Sequence, residues 1–215
     1  MSKAETIDAL MESAIQSFSR LGYEGASLRD IARNAGVPLS TIHLYFGSKN
    51  ELFDAVRQRA WDDINDERTA LLEQALAAHE PGDALLSGII YALGYPVVHR
   101  ALSNDPRDLA YVFLMRAHWN RMPDAEALEI ADRSLVRWFD AVRACCPAFS
   151  RSDAAWALSY SVGAIYSWQL LDHRYDGLIG GPAADRNSGD IAADVVEFCR
   201  AGIRALSDLR ERSKS

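Results

Sequence analysis

Apolar positions near the N-terminus recur at steps of three and four. Ile7, Leu10, Met11, Ala14, Ile15 and Phe18 share one face of a helix, and Gly22 follows as its stop. Ser27 with Asp30 predicts a capping box for a short second helix through Ala35, closed by Gly36. Gly36-Val37-Pro38 reads as a tight turn. Pro38 suits the first position of a third helix, where its missing N–H costs nothing, and Gly47 ends that helix after Phe46. Ser48 and Glu51 form another capping box and open a long fourth helix to about Ala78, with Leu52, Val56, Ala60 and Ile64 on one face.

Beyond Pro81 the pattern stays helical, and no alternation is long enough to support a sheet. One helix is predicted over 83–102, with Gly94-Tyr95-Pro96 as a kink. A second starts at Asp105-Pro106 and runs to Arg121, and a third runs from Pro123 and Asp124 to about Cys146. Ser150 and Asp153 cap a stretch without charge, Ala154–Leu171, which reads as a fully buried helix. A glycine-rich loop over Asp176–Asp190 leads to a last helix from Asp190 to about Arg210. The expected fold is all-α with about nine helices: an N-terminal helix-turn-helix domain over residues 1–50 and a larger helical domain over 51–215.

The uncharged stretch reaches the lower length limit of a membrane span. Ser159, Ser161, Ser167 and Gln169 interrupt it, and Asp153 and Asp172 bound it without flanking positive charge, so no membrane partner is expected. Cys145, Cys146 and Cys199 neither frame a disulfide scaffold nor space metal ligands. No basic-then-apolar leader opens the chain, and a reducing, cytoplasmic location is expected. The net charge of −7 disfavours binding to phosphate in general. The excess acid lies in residues 61–215, which carry 16 basic and 23 acidic side chains, against seven of each in residues 1–60. Across residues 25–50, Arg29, Arg33 and Lys49 face Asp30 alone, a thin basic patch.

Two short helices joined by a glycine turn and preceded by an amphipathic helix make a helix-turn-helix candidate over Ser27–Phe46. The second short helix cannot hold itself together in water. It must bury Ile42 and Phe46 against Ile31 and Phe18, which frees its other face for a major groove. The run SLRDIARNAGVPLSTIHLYFGSKNELF, from Ser27 to Phe53, resembles the DNA-binding signature of the TetR family, with Thr41, Ile42, Tyr45, Phe46, Ser48, Lys49, Glu51 and Leu52 at the positions of that pattern. The resemblance implies a transcriptional regulator, most simply a repressor, that binds double-stranded operator DNA of palindromic sequence and is released by a small-molecule effector. It implies phosphate contacts from Ser27, Thr41, Tyr45 and Lys49. It places Arg29, Leu39, Ser40 and His43 at base edges, with Arg29 suited to guanine and Leu39 to a thymine methyl. The chain departs from the family pattern at Leu39, His43 and Leu44, which lowers the number of phosphate contacts expected.

The resemblance also implies that the middle helices enclose an effector and that the last two pair with a second subunit. Val195, Phe198 and Gly202 lie along one apolar stripe of the last helix, with Cys199 and Ile203 on a neighbouring one. Ala157, Ser161 and Ala164 allow close approach to the preceding helix, so a four-helix homodimer interface is expected. Tyr91, Tyr95 and His99 share one helical face and Tyr111, Met115, His118 and Trp119 another, a set suited to a small apolar or aromatic effector. His99 and His118 lack metal-site spacing, and no metal or cofactor is implied. The sequence carries no nucleophile elbow, phosphate loop or other catalytic signature, so no enzymatic activity is expected. A helical small-molecule carrier or enzyme without a DNA role is the alternative reading.

Overall fold

A computed structural model describes residues 2–103, 105, 108, 110–111, 125–170 and 187–214, with backbone alone at 125–134, 167–170 and 188. Eight helices are described: α1 Lys3–Gly25, α2 Leu28–Asn34, α3 Leu39–Phe46, α4 Lys49–Ala78, α5 Asp83–Ala101, α6 Ala125–Cys145, α7 Arg151–Leu170 and α8 Ser188–Arg212. The described residues contain no strand, in agreement with the all-α expectation. The helix predicted from Asp105 to Arg121 and the loop predicted over Asp176–Asp190 lie largely outside the described residues. Two compact units form, one from Met1–Asn65 with Ser103–Met122, the other from Asp66–Leu102 with Pro123–Ser215.

In the first unit, α1 opens with a capping box absent from the sequence expectation. The Ser2 hydroxyl accepts from the Glu5 N–H at 3.2 Å, and the Ser2 N–H donates to the Glu5 carboxylate at 2.8 Å. Gly22 does not end the helix outright. At φ 69° and ψ 177° it breaks the ladder, and a further turn follows to Gly25. Leu10, Ala14, Ile15 and Phe18 pack into one core with Ile31, Ile42, Leu52, Val56 and Ala60. The Phe18 ring meets Phe53 edge-on at 4.9 Å, and the Ser13 hydroxyl donates to the Ile31 carbonyl at 3.0 Å, which ties α1 to α2.

Three terminal details differ from the sequence expectation. Ser27 is the N-cap residue of α2, yet its hydroxyl makes no capping bond; Asp30 instead pairs with Arg33 at 2.5 Å, so the reciprocal box never closes. Pro38 stands one position earlier than expected, as the N-cap of α3. At the start of α4, the Ser48 hydroxyl accepts from the Glu51 N–H at 3.2 Å, but the Ser48 N–H goes to the Phe46 carbonyl at 2.9 Å, which leaves half a box. The end of α2 follows expectation. Gly36 at φ 70° lets its own N–H reach the Arg33 carbonyl and the Val37 N–H reach that of Ala32, the paired bonds of a Schellman stop.

In the second unit, α5 continues through Pro96, which supplies no N–H to the helix ladder. Arginines gather on nearby carbonyls: Arg68 donates to the Leu93 carbonyl at 2.9 Å and to the Tyr166 hydroxyl at 3.0 Å, and Arg100 to the Pro96 carbonyl at 3.0 Å. Arg68 is only 5% exposed, so these bonds replace its water shell. Arg100 also pairs with Glu67 at 2.5 Å. A Cβ on Gly88 would lie 2.8 Å from that of Ala75, so glycine permits the close approach of α4 and α5.

The last helix is held by charge at three helix ends. Asp83, at the start of α5, accepts from Arg200 at 3.0 Å and from Arg204 at 2.5 Å. Arg204 also donates to the Cys145 carbonyl at the end of α6, at 2.6 Å. At the start of α7, Asp153 pairs with Arg210 at 2.8 Å. There Ser150 and Asp153 complete the predicted box, with Asp153 N–H to the Ser150 hydroxyl at 3.1 Å and Ser150 N–H to the Asp153 carboxylate at 3.0 Å. All three cysteines are free and buried, and burial raises each thiol above its ordinary range. No described helix is long and apolar enough to cross a membrane.

The expectation that the uncharged helix is fully buried is corrected. Ala154, Ala157, Leu158, Ser161 and Ile165 of α7 face the core, whereas Trp156 and Tyr160 are each 60% exposed. A sequence without charges does not reveal that one side lacks a neighbour within its own chain.

Replacing Arg68 by Leu leaves the Tyr166 hydroxyl and the Leu93 carbonyl without their charged donor, and is expected to cost about 2 kcal/mol. Urea unfolding should show a lower midpoint at unchanged slope; an unchanged midpoint would refute the structural role given to this guanidinium. A second prediction concerns Asp153, whose carboxyl is held at about 2 by hydrogen bonds from the Ser150 hydroxyl, Arg210 and the Ser150 N–H. Because the folded value lies below the ordinary one, the stabilisation is complete above about pH 4 and disappears as pH falls towards 2. The stability gap between the natural protein and Asp153→Asn should therefore be constant from pH 7 to about 5 and close in acid. A gap independent of pH down to the acid limit would contradict it.

Candidate nucleic-acid interface

The candidate interface begins with two apolar residues four positions apart. Ile42 of α3 is fully buried and Phe46, four residues on, is half-buried against the same core, which fixes the helix about its long axis. The opposite side then consists of Ser40, His43 and Leu44, all exposed. Leu39, Thr41 and Tyr45 flank it and are half-buried. In α2, Ser27 is half-buried and Arg29 exposed.

Several of these side chains are already held. The Lys49 ammonium lies 4.7 Å from the centre of the Tyr23 ring and donates to the Glu24 carbonyl at 3.3 Å, near the end of α1. The His43 Nδ1 lies 2.8 Å from the Gly47 carbonyl. A carbonyl only accepts, so Nδ1 carries the proton and Nε2 is the free ring atom, a lone-pair acceptor in the neutral imidazole. Arg33 is paired with Asp30, which thins the basic patch further.

Two residues outside the sequence-derived set lie on this surface. Leu44 is 74% exposed, and Lys3 places its ammonium 5.8 Å from the centre of the Tyr45 ring. Leu44 was legible from its position four residues after Ser40. Lys3 was not, because only the tertiary fold brings the start of α1 to α3.

The residues assigned to an effector divide differently. Tyr91, Tyr95 and His99 form one stack on α5, with ring centres 4.7 Å and 5.4 Å apart and planes within 20°. Burial is the chief cause that raises the Tyr91 phenol, followed by its neighbour Tyr95. Tyr111 belongs to the first unit, where it is buried in the core and donates to Asp63 at 2.6 Å. Met115, His118 and Trp119 lie outside the described residues. Among the described residues no cluster of His, Cys, Asp or Glu is arranged to hold a metal.

The residues assigned to subunit pairing converge. Ala157, Tyr160, Ser161, Phe198, Gly202 and Ala205 line an open groove of about 530 Å³ between α7 and α8. Phe198 is 73% exposed there. Ala164 and Val195 are half-buried beside the body's core. The two stripes of α8 thus separate: Cys199 and Ile203 face inward, Phe198 and Gly202 outward.

Comparison with known proteins places this architecture. Residues 10–56 match the family described as bacterial regulatory proteins, tetR family, and residues 92–202, just over half the chain, match the tetracyclin repressor-like C-terminal domain. Among curated relatives, the HTH-type transcriptional regulator BetI of Brucella suis biovar 1 is 26% identical over 121 residues, covering 52% of this chain and 61% of that protein. The uncharacterized HTH-type transcriptional regulator YhgD of Bacillus subtilis is 30% identical over 71 residues, 33% of this chain and 37% of its own. The chain therefore spans less than two thirds of the length of either relative. A TetR-like transcriptional regulator from Rhodococcus sp. RHA1 shares the fold, with a TM-score of 0.59 at 18% identity over 95% of this chain and 98% of that one. With both segments matched in order and the helical architecture shared, the chain belongs to the tetR family of bacterial regulatory proteins.

Proposed function

We propose that this protein is a cytoplasmic, DNA-binding transcriptional regulator that represses from a palindromic operator as a homodimer and is released by a small apolar or aromatic effector. The observation that carries the reading is the division of α3, with Ile42 fully buried and Ser40, His43 and Leu44 presented outward from a helix of eight residues. A short helix anchored on one side and open on the other is the form in which recognition helices enter a major groove. Residues 1–50 serve as the DNA-binding domain and 51–215 as the effector and dimer domain. Ser27, Thr41, Tyr45 and Lys49 hold phosphates, while Arg29, Leu39, Ser40 and His43 face base edges. No step of this function is enzymatic.

The second subunit docks at α7 and α8. A face that leaves Tyr160, Trp156 and Phe198 each at least 60% exposed beside small residues is costly in water and suits a self-complementary partner. Effector binding in the body biases two arrangements of the dimer, in one of which the recognition helices no longer match successive major grooves.

Operator affinity should fall steeply with salt, at about one unit of logarithmic slope per phosphate contact. The double variant Tyr45→Phe, Lys49→Ala is expected to bind at least tenfold more weakly and to flatten that slope by about one, since one cation leaves the backbone. Unchanged retention on the selected operator, measured by anisotropy titration across salt concentrations, would refute the assignment. For the dimer, Phe198→Asp places a charge at the centre of the groove. Light scattering after size exclusion should report a monomer that has lost operator affinity; a persistent dimer would exclude α7 and α8 as the interface.

A further inference from the structure

Leu44 is the most exposed of the described large apolar side chains, at 74%. Single exposed leucines are common on protein surfaces, and exposure alone assigns nothing. The setting does. Leu44 lies four residues after Ser40 and directly after His43 on the outward row of α3, while the inward side of the same helix is spent on Ile42 and Phe46. His43 is tied by its Nδ1–H to the Gly47 carbonyl at the end of the helix, so the isobutyl group of Leu44 is the apolar element of that row. The other leucine of the helix, Leu39, is half-buried beside the core.

A B-DNA major groove offers one apolar feature among its base edges, the C5 methyl group of thymine. A leucine pressed onto guanine, adenine or cytosine edges would strip water from N7, O6, N6 or N4 and return no hydrogen bond, which penalises those bases. We propose that Leu44 is a specificity-determining residue that packs on a thymine methyl, so that each operator half-site requires a thymine beneath it. This rests on the DNA-binding reading above and adds to it a base and a contacting atom that the family signature does not supply, since Leu44 is one of the positions at which the chain departs from that signature.

The test uses the full chain and a duplex recovered by the protein from a random-sequence library. Each thymine of that duplex is replaced in turn by deoxyuridine, which removes the methyl and nothing else, and affinity is measured by fluorescence anisotropy. One thymine per half-site should show a loss of roughly fourfold, the equivalent of one buried methyl group. The same replacement should have no effect on Leu44→Ala, and Leu44→Met should retain part of it. Circular dichroism should show both variants folded, because the residue packs on nothing essential to the core. Operator binding in which no methyl dependence is lost in Leu44→Ala overturns this proposal and leaves the DNA-binding reading standing. Failure of the natural protein to enrich any duplex overturns both.

Discussion

The insertion of Ile42 into the core made by α1, α2 and α4 is the contact on which the rest of the first unit depends. Eight residues of helix lie below the length at which a helix persists in water, so α3 exists only while that face is buried. Once Ile42 and Phe46 are committed inward, the rotation of the helix is settled and the residues offered outward are no longer free to vary. The neighbours reinforce it at their ends: Gly36 closes α2 in a left-handed turn, and Gly47, at φ 76°, closes α3 so that α4 can start at once. Lys49 is braced on the Tyr23 ring and the end of α1, which gives a single cation a defined place on a surface with little positive charge to spare.

The second unit is built on a different balance. Its core is apolar, but the placement of α8 is governed by three arginines that reach the ends of α5, α6 and α7. Charged groups at helix ends are well matched to the partial charges there: Asp83 and Asp153 sit in first turns, and Arg204 meets a terminal carbonyl. With its inward stripe covered and its ends fastened, α8 keeps Phe198 and Gly202 outside, next to the exposed side of α7. The resulting groove combines small residues, Ala157, Ser161, Gly202 and Ala205, with the large rings of Tyr160 and Phe198.

The capping signals show how far local reading extends. Ser27 with Asp30 and Ser150 with Asp153 have the same spacing, and both mark true helix starts. Only the second closes as a reciprocal box. Asp30 has Arg33 one turn on and turns to it, whereas the arginine that pairs with Asp153 comes from α8 and leaves the other carboxylate oxygen for Ser150. The position of a helix start is thus written locally, while the bonds that satisfy it depend on competitors that sequence spacing ranks poorly.

Periodicity by itself determined that the chain is helical, where most helices begin and end, and which residues make the helix-turn-helix, because those properties follow from side chains within four residues of each other. Tertiary structure decided what each apolar face meets. It opened one side of a helix that carries no charge from Ala154 onward, put Tyr111 into the core of the first unit, and left Leu44 in the open. A pattern of apolar positions states that a face must be covered; which partner covers it depends on contacts between residues far apart in the chain, and those are fixed only when the helices pack.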